Sequence, residues 1–124
     1  MMKKLSTAVL LALSVLSFNA AFAHGGATAK HGGVVVMASD FGFELVSTAS
    51  GAAIYVEDHG KPILPTGMTG KLTVLNGAEK SEAELAVVGD RLEAKGVKLA
   101  AGAKVVAALT TPAKKSVTVR FTVK

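Results

Sequence analysis

The chain has 124 residues, half of them hydrophobic, with 14 Lys and Arg against nine Asp and Glu and a formal net charge of +5. That length suits one small domain, and that charge is too small to argue for nucleic acid as a partner. The absence of cysteine excludes disulfides, thiolate metal sites, cysteine nucleophiles and a lipoprotein attachment cysteine.

Residues 1–23 read as a cleaved secretory signal peptide. Lys3 and Lys4 form a positive start, Thr7 to Phe18 is mostly apolar, and Ala21-Phe22-Ala23 places small residues at −3 and −1 of a cleavage site. An uncleaved anchor is the alternative, since residues 5–23 carry no charge and 19 residues just span a bilayer. Serines and Asn19 dilute that run, and no Lys/Arg cluster follows it. The leader is bacterial in style, so the expected location is the periplasm, with no membrane association after cleavage. That compartment permits disulfides without demanding them, so stability must come from core packing. Removing 23 residues from 124 leaves 101, and the two departing lysines lower the charge from +5 to +3.

Residues 24–33, His-Gly-Gly-Ala-Thr-Ala-Lys-His-Gly-Gly, form a tail expected to be mobile unless a ligand orders it. Residues 34–124 read as short strands separated by turns. Val34–Met37 is a β-branched run, and Phe41–Thr48 follows a turn at Ser39-Asp40. Ala52–Glu57 follows Ser50-Gly51 and is broken by His59-Gly60-Lys61-Pro62. Lys71–Leu75 leads into Asn76-Gly77, a pair that tolerates positive φ. Ser81–Val88 alternates Ala83, Leu85 and Val87 against Glu82 and Glu84, and Gly89-Asp90 turns it into Arg91–Lys95. Composition alone would also allow a helix over Ala78–Lys95, but Gly89-Asp90 cuts it and its period is nearer two. Lys104–Thr111 is apolar on both faces, as a central strand is. Ser116–Val123 sets Val117, Val119, Phe121 and Val123 against Ser116, Thr118, Arg120 and Thr122. Seven or eight short strands predict an all-β fold, an antiparallel immunoglobulin-like β-sandwich. With no cysteine pair and no tryptophan it is not an antibody-type domain.

The three histidines, His24, His31 and His59, carry the functional signal. Cleavage after Ala23 makes His24 the amino terminus, whose α-amine and ring nitrogen can close one chelate ring on a metal. Such a nitrogen set suits Cu(II), the strongest divalent binder in the usual affinity order, or Zn(II). His31 repeats the His-Gly-Gly context seven residues on, a span of at most about 25 Å. Strand alternation predicts Glu57 and His59 on one face, roughly 7 Å apart, with Asp58 as an alternative ligand or as the acceptor that holds the His59 ring if the strand has ended. The candidate metal site is therefore His24, His31, His59 and Glu57. Exposed polarity without a ligand explains the same histidines more simply. Met37 and Met68 could serve Cu(I) as thioethers, but isolated methionines more often fill cores and loops. Glu79, Glu82, Glu84 and their lysines read as a solvated face, and Lys114-Lys115 as a turn.

The strings His31-Gly32-Gly33-Val34-Val35, Phe43-Glu44-Leu45-Val46 and Tyr55-Val56-x-Asp58-His59-Gly60-Lys61-Pro62 resemble a group of small exported bacterial proteins. Related segments form amino-terminal domains of periplasmic adaptors in heavy-metal efflux systems. Lys71–Leu75, Gly102–Val106 and Val119-Arg120-Phe121 fit the same run, so the resemblance covers most of residues 31–123. It implies a β-sandwich associated with copper, zinc or cobalt resistance. A looser likeness is to CopC-type copper-resistance proteins, in which a mature amino-terminal histidine works with a later aspartate and histidine. His24 and His59 would take the histidine roles and Asp58 or Glu57 the acidic one. Here Asp58 and His59 are adjacent and mid-chain, where that family spaces the two by one residue near the carboxyl end.

The expected function is a periplasmic metal-binding protein that buffers or delivers Cu(II) or Zn(II) to components of an efflux system, with no organic cofactor. The alternative is a metal-independent module for protein–protein contacts in the envelope. Enzyme activity is not expected: there is no nucleophile elbow, phosphate loop or paired-acid signature. An amino-terminal histidine with a second histidine also occurs in oxidative copper enzymes, but one tyrosine and no tryptophan leave little substrate platform.

Overall fold

The computed structural model describes residues 28–124; the leader and His24 lie outside the described residues. Nine strands and no helix occur among the described residues: β1 (Val34–Ala38), β2 (Phe41–Thr48), β3 (Gly51–Asp58), β4 (Lys61–Ile63), β5 (Thr69–Asn76), β6 (Glu79–Val88), β7 (Arg91–Lys95), β8 (Lys104–Thr110) and β9 (Ser116–Thr122). Every pairing is antiparallel, in the order β1-β2-β3-β7-β6-β5-β8-β9, with β4 added beside β3. The all-β antiparallel architecture is the expected one. The spatial run β8-β5-β6-β7 is a Greek key, in which three hairpin-linked strands are joined by a fourth that returns beside the first.

Strand β6 explains how one ladder makes two layers. Its residues Glu79–Leu85 pair with β5, and Ala86–Val88 pair with β7. The strand therefore leaves one layer and enters the other at Leu85-Ala86. The free edges β1 and β9 then lie against each other without a shared ladder, so the sheet nearly closes on itself. The inward residues of both layers meet in one core: Phe43, Leu45, Ile54 and Leu92 from one, and Leu72, Val74, Val105, Leu109, Val119 and Phe121 from the other. Period-two alternation in β9 and β2 is what buries these faces. Met68 is also in this core, so its thioether serves packing.

Two local expectations need correction. His59-Gly60-Lys61-Pro62 does not merely end β3, because Lys61–Ile63 turns back and pairs with Val56–Asp58. Pro62, which lacks an N–H, is accommodated because this short strand lies outside the main ladder. His59 also does not continue the alternation of β3. It occupies the two-residue turn with Gly60, at φ 53° and 80°, the left-handed pair that a tight hairpin requires. Its side chain therefore does not share a strand face with Glu57. The stretch 78–95 is a hairpin, as its period predicts.

Candidate functional site

The site is built on the outer face of β1, β2, β3 and β7. Antiparallel register puts Val35, Glu44 and Tyr55 in one row, and Met37, Gly42, Glu57 and Pro62 in the next. Glu44 lies between the inward-facing Phe43 and Leu45, so its carboxylate must point outward. It is nevertheless only 5% exposed, because residues 30–33 fold back over it.

The carboxylate is what holds that segment. Glu44 Oε1 accepts from the Lys30 N–H at 3.1 Å and from the His31 ring at 2.9 Å. Glu44 Oε2 accepts from the His31 and Gly33 N–H groups, each at 2.8 Å. Part of the tail expected to be mobile is thus fastened at four points, and ordered packing begins at Lys30 instead of Val34. Gly33 is required for this approach: a Cβ there would stand 2.1 Å from the Leu45 carbonyl oxygen. Burial by itself raises the Glu44 carboxyl, but the His31 ring and the Gly33, His31 and Lys30 N–H groups outweigh it. The net effect is a pKa below the ordinary glutamate value.

His31 is fixed in two directions. Glu44 sets its in-plane rotation, and Tyr55 lies flat beneath it, with ring centroids 3.6 Å apart and planes 5° from parallel. Arg91 reaches over the Tyr55 ring at 6.0 Å and is itself held by Glu93 at 2.9 Å and Asp90 at 3.1 Å. With Nδ1 donating to the carboxylate, the neutral imidazole keeps its lone pair on Nε2. A carboxylate behind one ring nitrogen, orienting the other, is the usual support of a metal-bound histidine. His31 also lines a pocket of about 150 Å³ with Tyr55, Glu57, Pro62, Leu64 and Asp90.

The other predicted ligands are distributed around this centre. Glu57 lines the same pocket, and its Oε2 is paired with the Lys30 ammonium at 2.7 Å. Lys30 also donates to the Gly60 carbonyl at 2.7 Å, which ties the segment to the turn that carries His59. The His59 ring donates to Asp58 at 2.6 Å, with the strand ended at Asp58, and its side chain is 85% exposed. Met37 is half exposed beside Glu57, its sulfur 3.3 Å from where a Gly42 Cβ would be. His24 lies outside the described residues. Among the described residues, no three His, Asp or Glu side chains are grouped to hold a metal ion. The structure pairs His31 with Glu44, sets Glu57 on the wall of the pocket that His31 lines, and leaves His59 as a separate pair with Asp58.

Sequence reasoning missed Glu44 and Tyr55. A lone carboxylate within Phe41–Val46 was the available signal, since every other residue there is apolar or glycine. No protein-family model, curated protein or solved structure matches the chain.

Proposed function

We propose that the mature chain is an exported metal-binding protein that holds Cu(II) or Zn(II) at His31 and buffers or delivers the ion in heavy-metal resistance. The Glu44–His31 pair carries this reading. Three backbone hydrogen bonds to Glu44 hold the segment in place, and a fourth from Nδ1, with the Tyr55 ring beneath, orients a partly exposed imidazole whose Nε2 has no hydrogen-bond partner among the described residues. A ring serving only to pin down the tail would not need that nitrogen accessible. With no cysteine in the chain, nitrogen and oxygen must supply the coordination sphere. His31 gives one ligand. His24, seven residues upstream, supplies a ring nitrogen and, after cleavage at Ala23, an α-amine. Glu57 is the oxygen candidate we favour, on the wall of the same pocket. His59 contributes least, since it faces solvent on a turn. The periplasm, the signal peptide and an efflux partner belong to this proposal through the leader and the resemblance.

Calorimetric titration of Cu(II) and of Zn(II) into the mature protein, with its amino terminus verified by intact mass, tests the reading. His31→Ala is expected to weaken binding at least about 100-fold, and Glu44→Gln about 10- to 100-fold, as loss of an orienting carboxylate does. Tyr55 is the sole tyrosine in a chain without tryptophan, so its emission reports on the neighbouring ring. A verified His24 terminus that binds neither ion more tightly than millimolar defeats the proposal and leaves the metal-independent interaction module.

A further inference from the structure

The Lys30 ammonium lies 2.7 Å from Glu57 Oε2 and 2.7 Å from the Gly60 carbonyl oxygen. Two oxygen acceptors thus converge on one cationic group, and together they form a seat for a positive charge. We infer that Lys30 is a built-in competitor: it occupies the seat between Glu57 Oε2 and the Gly60 carbonyl and neutralises Glu57, so a metal ion at His31 that recruits this carboxylate competes with the ammonium. The inference rests on the metal-binding reading of His31 and specifies what limits that site.

Glu57 and His31 line the same small pocket, so a divalent ion at Nε2 finds a carboxylate of that pocket already neutralised. The Lys30 backbone is fixed, since its N–H is bound to Glu44. The side chain is not: it is 41% exposed and carries a compact charge on a four-carbon stem that can swing into water. Arg91, by contrast, is clamped by Glu93 and Asp90 on both sides. In the metal-free protein the lysine keeps the half-buried Glu57 from being an uncompensated charge. When metal enters, displacing it costs one charge-assisted pair, which lowers affinity and eases release. A buffering or delivery protein needs such a release.

The test compares metal affinity of the wild type, Lys30→Ala, Glu57→Gln and the double variant, by Zn(II) titration of the mature chain. Lys30→Ala is expected to bind at least about threefold more tightly, the effect of removing one half-exposed ion pair and its carbonyl hydrogen bond. The gain should vanish when Glu57→Gln is also present. Lys61→Ala removes a charge from the same hairpin without vacating the seat, so it should change affinity less than about twofold. Lys30→Gln serves as a second variant if the alanine protein is poorly folded. A smaller gain, no change or weaker binding in Lys30→Ala overturns the competitor while leaving the His31 site standing. So does a gain that survives Glu57→Gln or is matched by Lys61→Ala. Absence of binding in both the wild type and Lys30→Ala overturns the metal reading together with this inference.

Discussion

Replacing Glu44 with alanine should be the most informative single perturbation. The side chain accepts four hydrogen bonds. At roughly 1.5–3 kcal/mol for a bond to a charged group, their simple sum would be about 6–12 kcal/mol. That sum overstates the effect. Once its anchor is gone, the 28–33 segment can lift away, its N–H groups can turn to water, and about 1–2 kcal/mol of ordering entropy per residue is regained. The cost is then bounded by what docks the segment, which we place at about 2–4 kcal/mol. For a domain of this size that lowers Tm by on the order of 10–20 °C. Urea unfolding gives the global loss, and amide exchange at His31 and Gly33 shows whether the segment has left. Glu44→Gln should cost at least half as much. Each carboxylate oxygen accepts two bonds, so the amide NH₂ is set against two backbone N–H groups in one orientation, and in the other against the Lys30 N–H and a His31 ring nitrogen that must change tautomer to accept from it. A Glu44→Ala protein that loses less than about 0.5 kcal/mol, with both amides still protected, would refute this account of the tail.

The same carboxylate predicts an acid limb. Its folded pKa lies below its unfolded value, so its stabilisation is complete above the unfolded value, near 4.3, and is lost as pH falls through the folded one. Urea midpoints measured from pH 7 to 3 should drop more steeply for the wild type than for Glu44→Gln. Gly33→Ala should dislodge residues 30–33 and cost at least about 2 kcal/mol, since its Cβ meets the Leu45 carbonyl. Gly32→Ala has open space around it and should cost only the roughly 1–2 kcal/mol of a left-handed alanine, which thermal melts would separate. His59→Ala removes an exposed side chain bonded, among the described residues, only to its neighbour. It should change stability by less than about 0.5 kcal/mol and metal affinity by less than twofold, against a large loss in His31→Ala.

The strands were legible because each half-buried segment repeats with period two: Phe43 and Leu45 in β2, Val117, Val119 and Phe121 in β9. Those are local facts about neighbours two residues apart. β4 was not legible, because proline, with no N–H to give to a ladder, signals a break unless one knows that the strand is a short one added outside the main ladder. His59 was misplaced by one residue of strand length, and that residue decides between a sheet face and a turn. Glu44 was hidden for a different reason. An outward carboxylate on a strand ordinarily sits in water, and only the return of Lys30, His31 and Gly33 across 11 to 14 residues buries it. The histidine at position 31 was recognised from its context, while its carboxylate and its aromatic platform depend on cross-strand register that no local pattern reveals.

The two outer faces of the domain show why the site belongs to one of them. On the β5–β6–β8–β9 face, Lys71, Glu82 and Lys80 meet at 3.4–3.7 Å with side chains 43–61% exposed. Such pairs are screened by water and contribute little. On the opposite face Glu44 is nearly enclosed, its four donors are all satisfied, and Tyr55 is covered by a ring instead of by solvent. Enclosing a carboxylate is costly unless its partners are numerous and well placed. The chain folds Lys30-His31 over a charged residue, and the result is an imidazole oriented by Glu44 beside a carboxylate paired with Lys30. Under the proposed metal-binding reading, that arrangement has a use at His31 Nε2 beyond holding residues 28–33 in place.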